Sequence, residues 1–421
     1  MREKRVFAIS TLQITEKTII FVARKTNKQM EAFYRTHAYL VEHINAPVRR
    51  DLMDEIDWSD RLIGIKGTRG VGKTTFLLQY AKEKFGTDRS CLFINMNNFY
   101  FSGHSIVDFA YEFQRRGGKV LLIDQVFKYD GWSKELRMCY DRFPGLKIVF
   151  TGSSVMRLKE ENLELRDIVK SYNLRGFSFR EFLNLQTGMK FKAYTLDEIL
   201  RNHEQIAKGV LSKVKPLDYF QDYLHHGFYP FFLEKRNFSE NLLKTMNMMV
   251  EVDILLIKQI ELKYLSKIKK LLYLLAVGGP KAPNVSQLAS DIQTSRATVM
   301  NYIKYLADSR LINMVYPEGE EFPKKPCKIM LHNTNLMYSI YPLTIEEQDV
   351  LETFFLNTMY KDHKLHKGDK NISFLVDGNM SFRIYSEGSK VKNTPHVTHV
   401  MHKAEIGRAN QIPLWIFGFL Y

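Results

Sequence analysis

Residues 61–85, RLIGIKGTRGVGKTTFLLQYAKEKF, constrain this chain more than any other stretch. A short apolar run from Arg61 to Lys66 reads as a strand, a glycine-rich loop follows, and apolar residues then recur at helical spacing. The loop Gly67-Thr68-Arg69-Gly70-Val71-Gly72-Lys73-Thr74, continued by Thr75, fits the pattern G-x-x-x-x-G-K-[ST]. Gly67, Gly70 and Gly72 can take backbone angles barred to residues with a Cβ, so successive N–H groups can turn inward around a phosphate. The positive end of the following helix adds to that field. In such a loop Lys73 reaches the β- and γ-phosphates and the Thr74 hydroxyl ligates Mg²⁺.

The strands after this loop are nearly continuous apolar runs separated by helical stretches, which is the mark of a parallel sheet covered on both faces. Strand candidates are Cys91–Asn95, Val120–Asp124 and Leu146–Thr151, with helices over 104–116 and 133–142. Ligands of such sheets bind beyond the carboxyl ends of the strands. The polar residues stand at those ends: Asn95, Asp124 and Thr151-Gly152-Ser153-Ser154. KVLLID (119–124) therefore reads as the strand whose terminal Asp124 holds the metal, and Thr151 to Ser154 are expected to face the γ-phosphate.

Length and charge fit this reading. A chain of 421 residues, 45% hydrophobic, has room for two to four domains. Its formal charge of +15 favours an anionic partner. Cys91, Cys139 and Cys327 are far apart, which argues against a zinc site or a disulfide framework and suits a reducing cytosol. No apolar run reaches membrane-spanning length, so no membrane partner and a cytoplasmic location are expected.

Elsewhere the pattern is coarser. Residues 1–25 alternate weakly and suggest a small strand pair or an arm. Helical spacing runs from Lys28 to Ile56 with a break at Asn45-Ala46-Pro47, and Arg49-Arg50, which could face phosphate or the next subunit, reads best as a solvated helix start. Residues 155–275 look mostly helical; within them the pair His225-His226 lacks a third metal ligand and reads as structural. Val277-Gly278-Gly279-Pro280 marks a boundary. After it, helices over 286–291 and 295–308 with a following hairpin have the spacing of a helix-turn-helix with a wing, though the second helix carries little positive charge. The remainder is strand-rich, and the terminal IPLWIFGFLY reads as a strand docked in a core. His396, His399 and His402, three residues apart, do not share one face of a strand.

Taken in order, the motifs resemble a group of bacterial and archaeal AAA-type P-loop ATPases with a winged helix and a restriction-endonuclease-like C-terminal domain. The resemblance covers most of the chain from about Arg49. It rests on GTRGVGKTT (67–75), KVLLID (119–124), WSKELRMCYDRFPGLKIVFTGSS (132–154), GFSFREFL (176–183), KPCKIMLHNTNLMYS (325–339), LETFF (351–355) and IPLWIFGFLY (412–421). Such proteins usually end the Asp124 strand in Asp-Glu, whereas this chain has Asp124-Gln125. Many carry paired arginines where Asp167-Ile168 stand here, with Arg166 adjacent. Ser373 and Arg383 fall on the two acidic positions of the nuclease-like domain, leaving Glu352, Asp377 and Glu387 as the nearest carboxylates.

The resemblance implies an α/β fold: a P-loop NTPase parallel sheet of AAA-like type, a helical lid, a winged helix and a small α+β, degenerate nuclease-like domain. The expected divisions are 1–60 (arm and helices), 61–185 (ATPase core), 186–277 (lid), 278–330 (winged helix) and 331–421 (nuclease-like domain). ATP and Mg²⁺ are the expected cofactors. Gly67, Thr68, Arg69, Gly70, Val71, Gly72, Lys73, Thr74 and Thr75 would bind the nucleotide, and Thr74 and Asp124 the metal. Lys73, Gln125 and Ser153 would carry catalysis, with hydrolysis slow because of Gln125 and no nuclease activity from the tail. Three readings stand at this point: a nucleotide-driven switch, a non-catalytic, nucleotide-gated scaffold binding protein partners, and an ATPase reaching DNA through the winged helix, with a protein partner or a homo-oligomer left open.

Overall fold

The computed structural model describes residues 28–421 apart from 235, 236, 370, 390, 392 and 393. The arm expected over 1–25 lies outside the described residues. The first sheet holds five parallel strands: β1 (Leu62–Gly67), β2 (Cys91–Asn95), β3 (Val120–Asp124), β4 (Lys147–Ser153) and β5 (Lys170–Asn173). Their order is β2-β3-β4-β1-β5.

Alternation along each strand divides its side chains between two cores. Ile63, Ile65, Phe93, Leu122 and Val149 belong to one, and Leu62, Ile94, Leu121, Ile123 and Phe150 to the other. The second core is closed by a helix over 28–43 and by Ile106–Arg115 and Trp132–Arg142. The first is closed by the helix Lys73–Lys84 and runs on through the chain as far as Leu420. Both faces are buried, which is why β1 to β4 are apolar nearly throughout.

β5 departs from the helical expectation for 155–275. Lys-Ser-Tyr-Asn is a sheet-edge segment with exposed ends and carries no apolar alternation; pairing with β1 sets it. Arg50 is a second departure. Its side chain is buried, ion-paired to Glu181 at 2.8 Å and stacked over the Phe177 ring, while Arg49 stays at the surface with Asp54 and Glu83. Glu181 lies in the helix Phe179–Thr187, where it also closes a capping box with Ser178. That box is visible in the sequence as Ser-Phe-Arg-Glu, but its partner Arg50 is 131 residues away.

Two segments of the following helical region, Tyr223–Gly227 and Met249–Ile254, are wound as π-helix. His225 stacks on Tyr338 and His226 packs among Phe182, Phe232 and Phe238. Helices Val285–Asp291 and Arg296–Asp308, capped by Asn284 and Ser295, precede an antiparallel pair, β6 (Ile312–Val315) and β7 (Lys328–Leu331).

The second sheet contains β8 (Leu365–Lys367), β9 (Phe374–Val376), β10 (Met380–Tyr385), β11 (Val397–Met401) and β12 (Gln411–Pro413), in the order β12-β11-β10-β9-β8. β8 to β10 are antiparallel neighbours, and β10 to β12 are parallel. The helix Glu347–Met359, buried from Val350 onward, covers it. The terminal stretch corrects the expectation of a docked strand. The strand ends at Pro413 and Leu414–Phe419 continue as a buried 3₁₀ helix. Pro413 cannot donate to a ladder, and a run apolar on all sides does not reveal its own period. His399 is tied to the Tyr385 hydroxyl at 3.0 Å and His402 sits beside Glu347, so these histidines have separate partners.

Candidate functional site

Strand register places the site. Asn95 lies opposite Asp124 and Gly67 opposite Ser153, so three polar strand ends meet the start of the glycine loop on one edge of the sheet. The chain leaves β1 through Gly70 and Gly72, both left-handed at φ 85° and 93°, and enters the helix at Lys73. At Gly67 a Cβ would lie 2.3 Å from the Leu174 carbonyl oxygen, so only glycine fits between the loop and the chain leaving β5.

A cavity of about 470 Å³ opens over this loop. Residues 69–76, Asp124, Gln125, Ser153 and Asp253 line its polar end; residues 45–48, Phe177, Pro230, Phe231 and Leu233 form the apolar side. Lys73 Nζ donates to the carbonyls of Gly67 (2.8 Å) and Thr68 (2.9 Å), and among the described residues no carboxylate bonds it directly. Burial pushes its ammonium down to about 8, against the opposing pull of Asp253 and then Asp124. A cation in this state gains from an anion.

Asp124 is 1% exposed and held on three sides. It accepts from the Thr74 hydroxyl at 2.8 Å, the Asn95 amide at 2.8 Å and the Thr151 hydroxyl at 2.5 Å. Gln125, the next residue, takes a left-handed backbone at φ 54°, and its N–H donates to Thr151 Oγ1 at 2.9 Å. Thr151 thus fixes both members of the Asp124-Gln125 pair. A carboxylate and a hydroxyl side by side are hard oxygen ligands, the donor set that suits a Mg²⁺ ion keeping most of its shell as water and phosphate.

Ser153 and Arg69 converge on a residue that the sequence reading missed. Asp253, 3% exposed, accepts from Ser153 Oγ at 2.9 Å and from Arg69 Nη2 at 2.7 Å. It sits in the π-wound segment Met249–Ile254. The signal was one acid within the apolar run VDILLI. Arg50, the other missed neighbour, lines the cavity and donates to the Arg175 and Gly176 carbonyls, bracing the loop from behind.

Other expected residues lie elsewhere. Ser154 lines a separate cavity of about 240 Å³ with Gly67, Thr68, Arg175 and Arg310, which corrects the expectation that it faces the γ-phosphate. The turn after Ser153 carries its side chain to the back of the loop. Thr68 Oγ1 lies against Met249 Sδ at 3.4 Å. Ser373 and Arg383 line a cleft of about 1030 Å³ between β6–β7 and the second sheet. Glu352 in that cleft is ion-paired to Lys328, Asp377 is bonded to His363, and Glu387 is paired with Lys403.

Comparison with known proteins gives a family for part of the chain. Residues 59–183 match the AAA domain family, and residues 217–371 match a domain of unknown function, DUF8612. An uncharacterized protein of Methanocaldococcus jannaschii is 29% identical over 321 residues, 72% of this chain and 64% of that protein. The chain thus spans less than two thirds of that relative's length. Among solved structures, RuvB of Thermotoga maritima aligns at 15% identity over 68% of this chain and 89% of its own (TM-score 0.26). The Orc1 protein of Aeropyrum pernix, solved in complex with DNA, aligns at 11% over 74% and 92% (TM-score 0.30). Scores this low carry no argument; the family match does. Residues 59–183 form an AAA-type P-loop domain. Among the described residues no helix is long and apolar enough to cross a membrane.

Proposed function

We propose that the chain binds Mg-ATP in the cavity over residues 67–75 and hydrolyses it slowly, as a nucleotide-driven switch. The observation that carries this reading is the meeting of Lys73, Thr74, Asp124 and Ser153 on one edge of a parallel sheet, around a glycine loop that opens a helix. Loop N–H groups from Arg69 to Thr75 would cradle the phosphates, Lys73 would exchange its carbonyl partners for phosphate oxygens, and Thr74 with Asp124 would hold the metal. The apolar side, Pro47, Phe177, Pro230 and Phe231, suits a base. The nucleotide and its metal supply the phosphoryl group and the charge that offsets the leaving oxygen.

Gln125 limits the rate in this reading. Its amide oxygen can orient a water but cannot take its proton at neutral pH, and a positioned general base contributes about 10²–10⁴ in rate. Gln125→Glu should raise steady-state ATP turnover by about tenfold or more with little change in affinity. Ordinary turnover in the wild type, unchanged by the substitution, would remove Gln125 as the limit.

The helix pair 285–291 and 296–308 with β6–β7, read here as a winged helix, offers little charge for DNA. Lys304 is tied to Asp308, and Arg310 lines the cavity behind the loop. These contacts favour the switch over a DNA-directed motor.

A further inference from the structure

Asp253 is a buried carboxylate in a pocket read as a phosphate site, and it occupies the donors such a site would use. The Ser153 hydroxyl has one proton to give, and it goes to Asp253 Oδ2 at 2.9 Å. Arg69 Nη2 gives to Oδ1 at 2.7 Å. Asp253 also lines the same cavity as Lys73. We propose that Asp253 is the residue that distinguishes nucleoside triphosphates from diphosphates: it stands in for the third phosphate by holding Ser153 and Arg69, and the terminal phosphate displaces it.

The inference rests on the nucleotide reading of the pocket, and its position follows from the loop. Loop N–H groups take the inner phosphates and the lysine reaches the outer two. Ser153 ends β4 opposite Gly67, whose carbonyl accepts from Lys73 Nζ at 2.8 Å, so it stands at the lysine's end of the loop. The groups that Asp253 holds therefore belong to the outermost phosphate. A diphosphate leaves Asp253 bonded; a triphosphate brings a like charge against it and competes for the same donors.

The backbone that carries Asp253 suits such a response. Met249–Ile254 is π-wound, a form that recurs at functional sites because its extra residue re-aims a side chain. Met249 also touches Thr68 in the loop. The segment packs against helices Leu265–Val277 and Arg296–Asp308, so its movement would pass to the part of the chain beyond the Gly278-Gly279 break. A ligand shifts such an equilibrium only by its differential affinity, and here the third phosphate supplies the difference.

The test is equilibrium titration of the full chain with a Mg-bound non-hydrolysable ATP analogue and with Mg-ADP. Asp253→Asn keeps the shape and removes the charge. It should tighten the triphosphate analogue by about tenfold or more, within the range of site couplings, and ADP by less than about threefold. An equal gain for both ligands would mean general relief of negative charge and would overturn the inference while leaving the nucleotide reading intact. Failure of the wild type to bind either ligand would overturn both. Should the variant not fold, hydrogen exchange on the wild type decides: amides of 249–258 should exchange faster with the triphosphate analogue than with ADP. Equal exchange in the two complexes would overturn the inference.

Discussion

The cavity over the phosphate loop and the cleft below the second sheet make an instructive pair. The second is larger, about 1030 Å³ against about 470 Å³, and it is lined by three lysines, an arginine, Glu352 and the exposed Asp369. Yet only the first gathers its charges around a common point. Asp124, Asp253 and Lys73 all line it, each held by hydrogen bonds to a strand end, loop or helix. In the cleft, Glu352 is spent on Lys328 and Gln348, while Ser373 and Arg383 add no carboxylate. A metal-assisted reaction needs oxygens converging on an ion, so convergence, rather than volume or residue inventory, separates the two places.

The widest break between them should come from Lys73. Mg-ATP at a hundred times its dissociation constant adds about 2.7 kcal/mol to stability. For a domain of this size that is roughly 5–10 °C in melting temperature. Lys73→Ala should lose most of that shift, and an unchanged shift would take Lys73 out of the phosphate site. Asp124→Asn should act more narrowly. It keeps the contacts to Thr74 and Thr151 sterically possible but removes the charge, so titrations should show weaker Mg²⁺-dependent nucleotide binding and little change in metal-free binding. Equal loss with and without the metal would argue that Asp124 only braces the loop. The smallest effect belongs to the cleft. The wild type should not cut DNA with Mg²⁺ or Mn²⁺, and Glu352→Ala should change nothing in that assay. Metal-dependent cleavage abolished by Glu352→Ala would erase the contrast.

Legibility in the sequence follows the same divide. β1 to β4 announce themselves because a strand buried on both faces must be apolar throughout, and the phosphate loop because its glycines are required by backbone angle and close approach. β5 is silent: pairing holds it, and its side chains Lys170 and Asn173 face solvent. Arg50 and Asp253 carry ordinary local surroundings; what makes them part of the site is contact with residues a hundred or more positions away. The capping box at Ser178 was readable as a helix start, whereas the burial of Arg180 and Glu181 within it was not. Ser154 shows the limit from the other direction, since one step along the turn from Ser153 sends a side chain to the opposite side of the loop.

The central claim is that the loop cavity takes Mg-ATP. The most direct measurement is a crystal structure of the chain with Mg²⁺ and a non-hydrolysable ATP analogue, read at Lys73 Nζ. The proposal predicts that Nζ leaves the Gly67 and Thr68 carbonyls for the β- and γ-phosphates, with the metal against Thr74 beside Asp124. Lys73 still bonded to those carbonyls, with the nucleotide absent or seated in another cavity at saturating concentration, would contradict it.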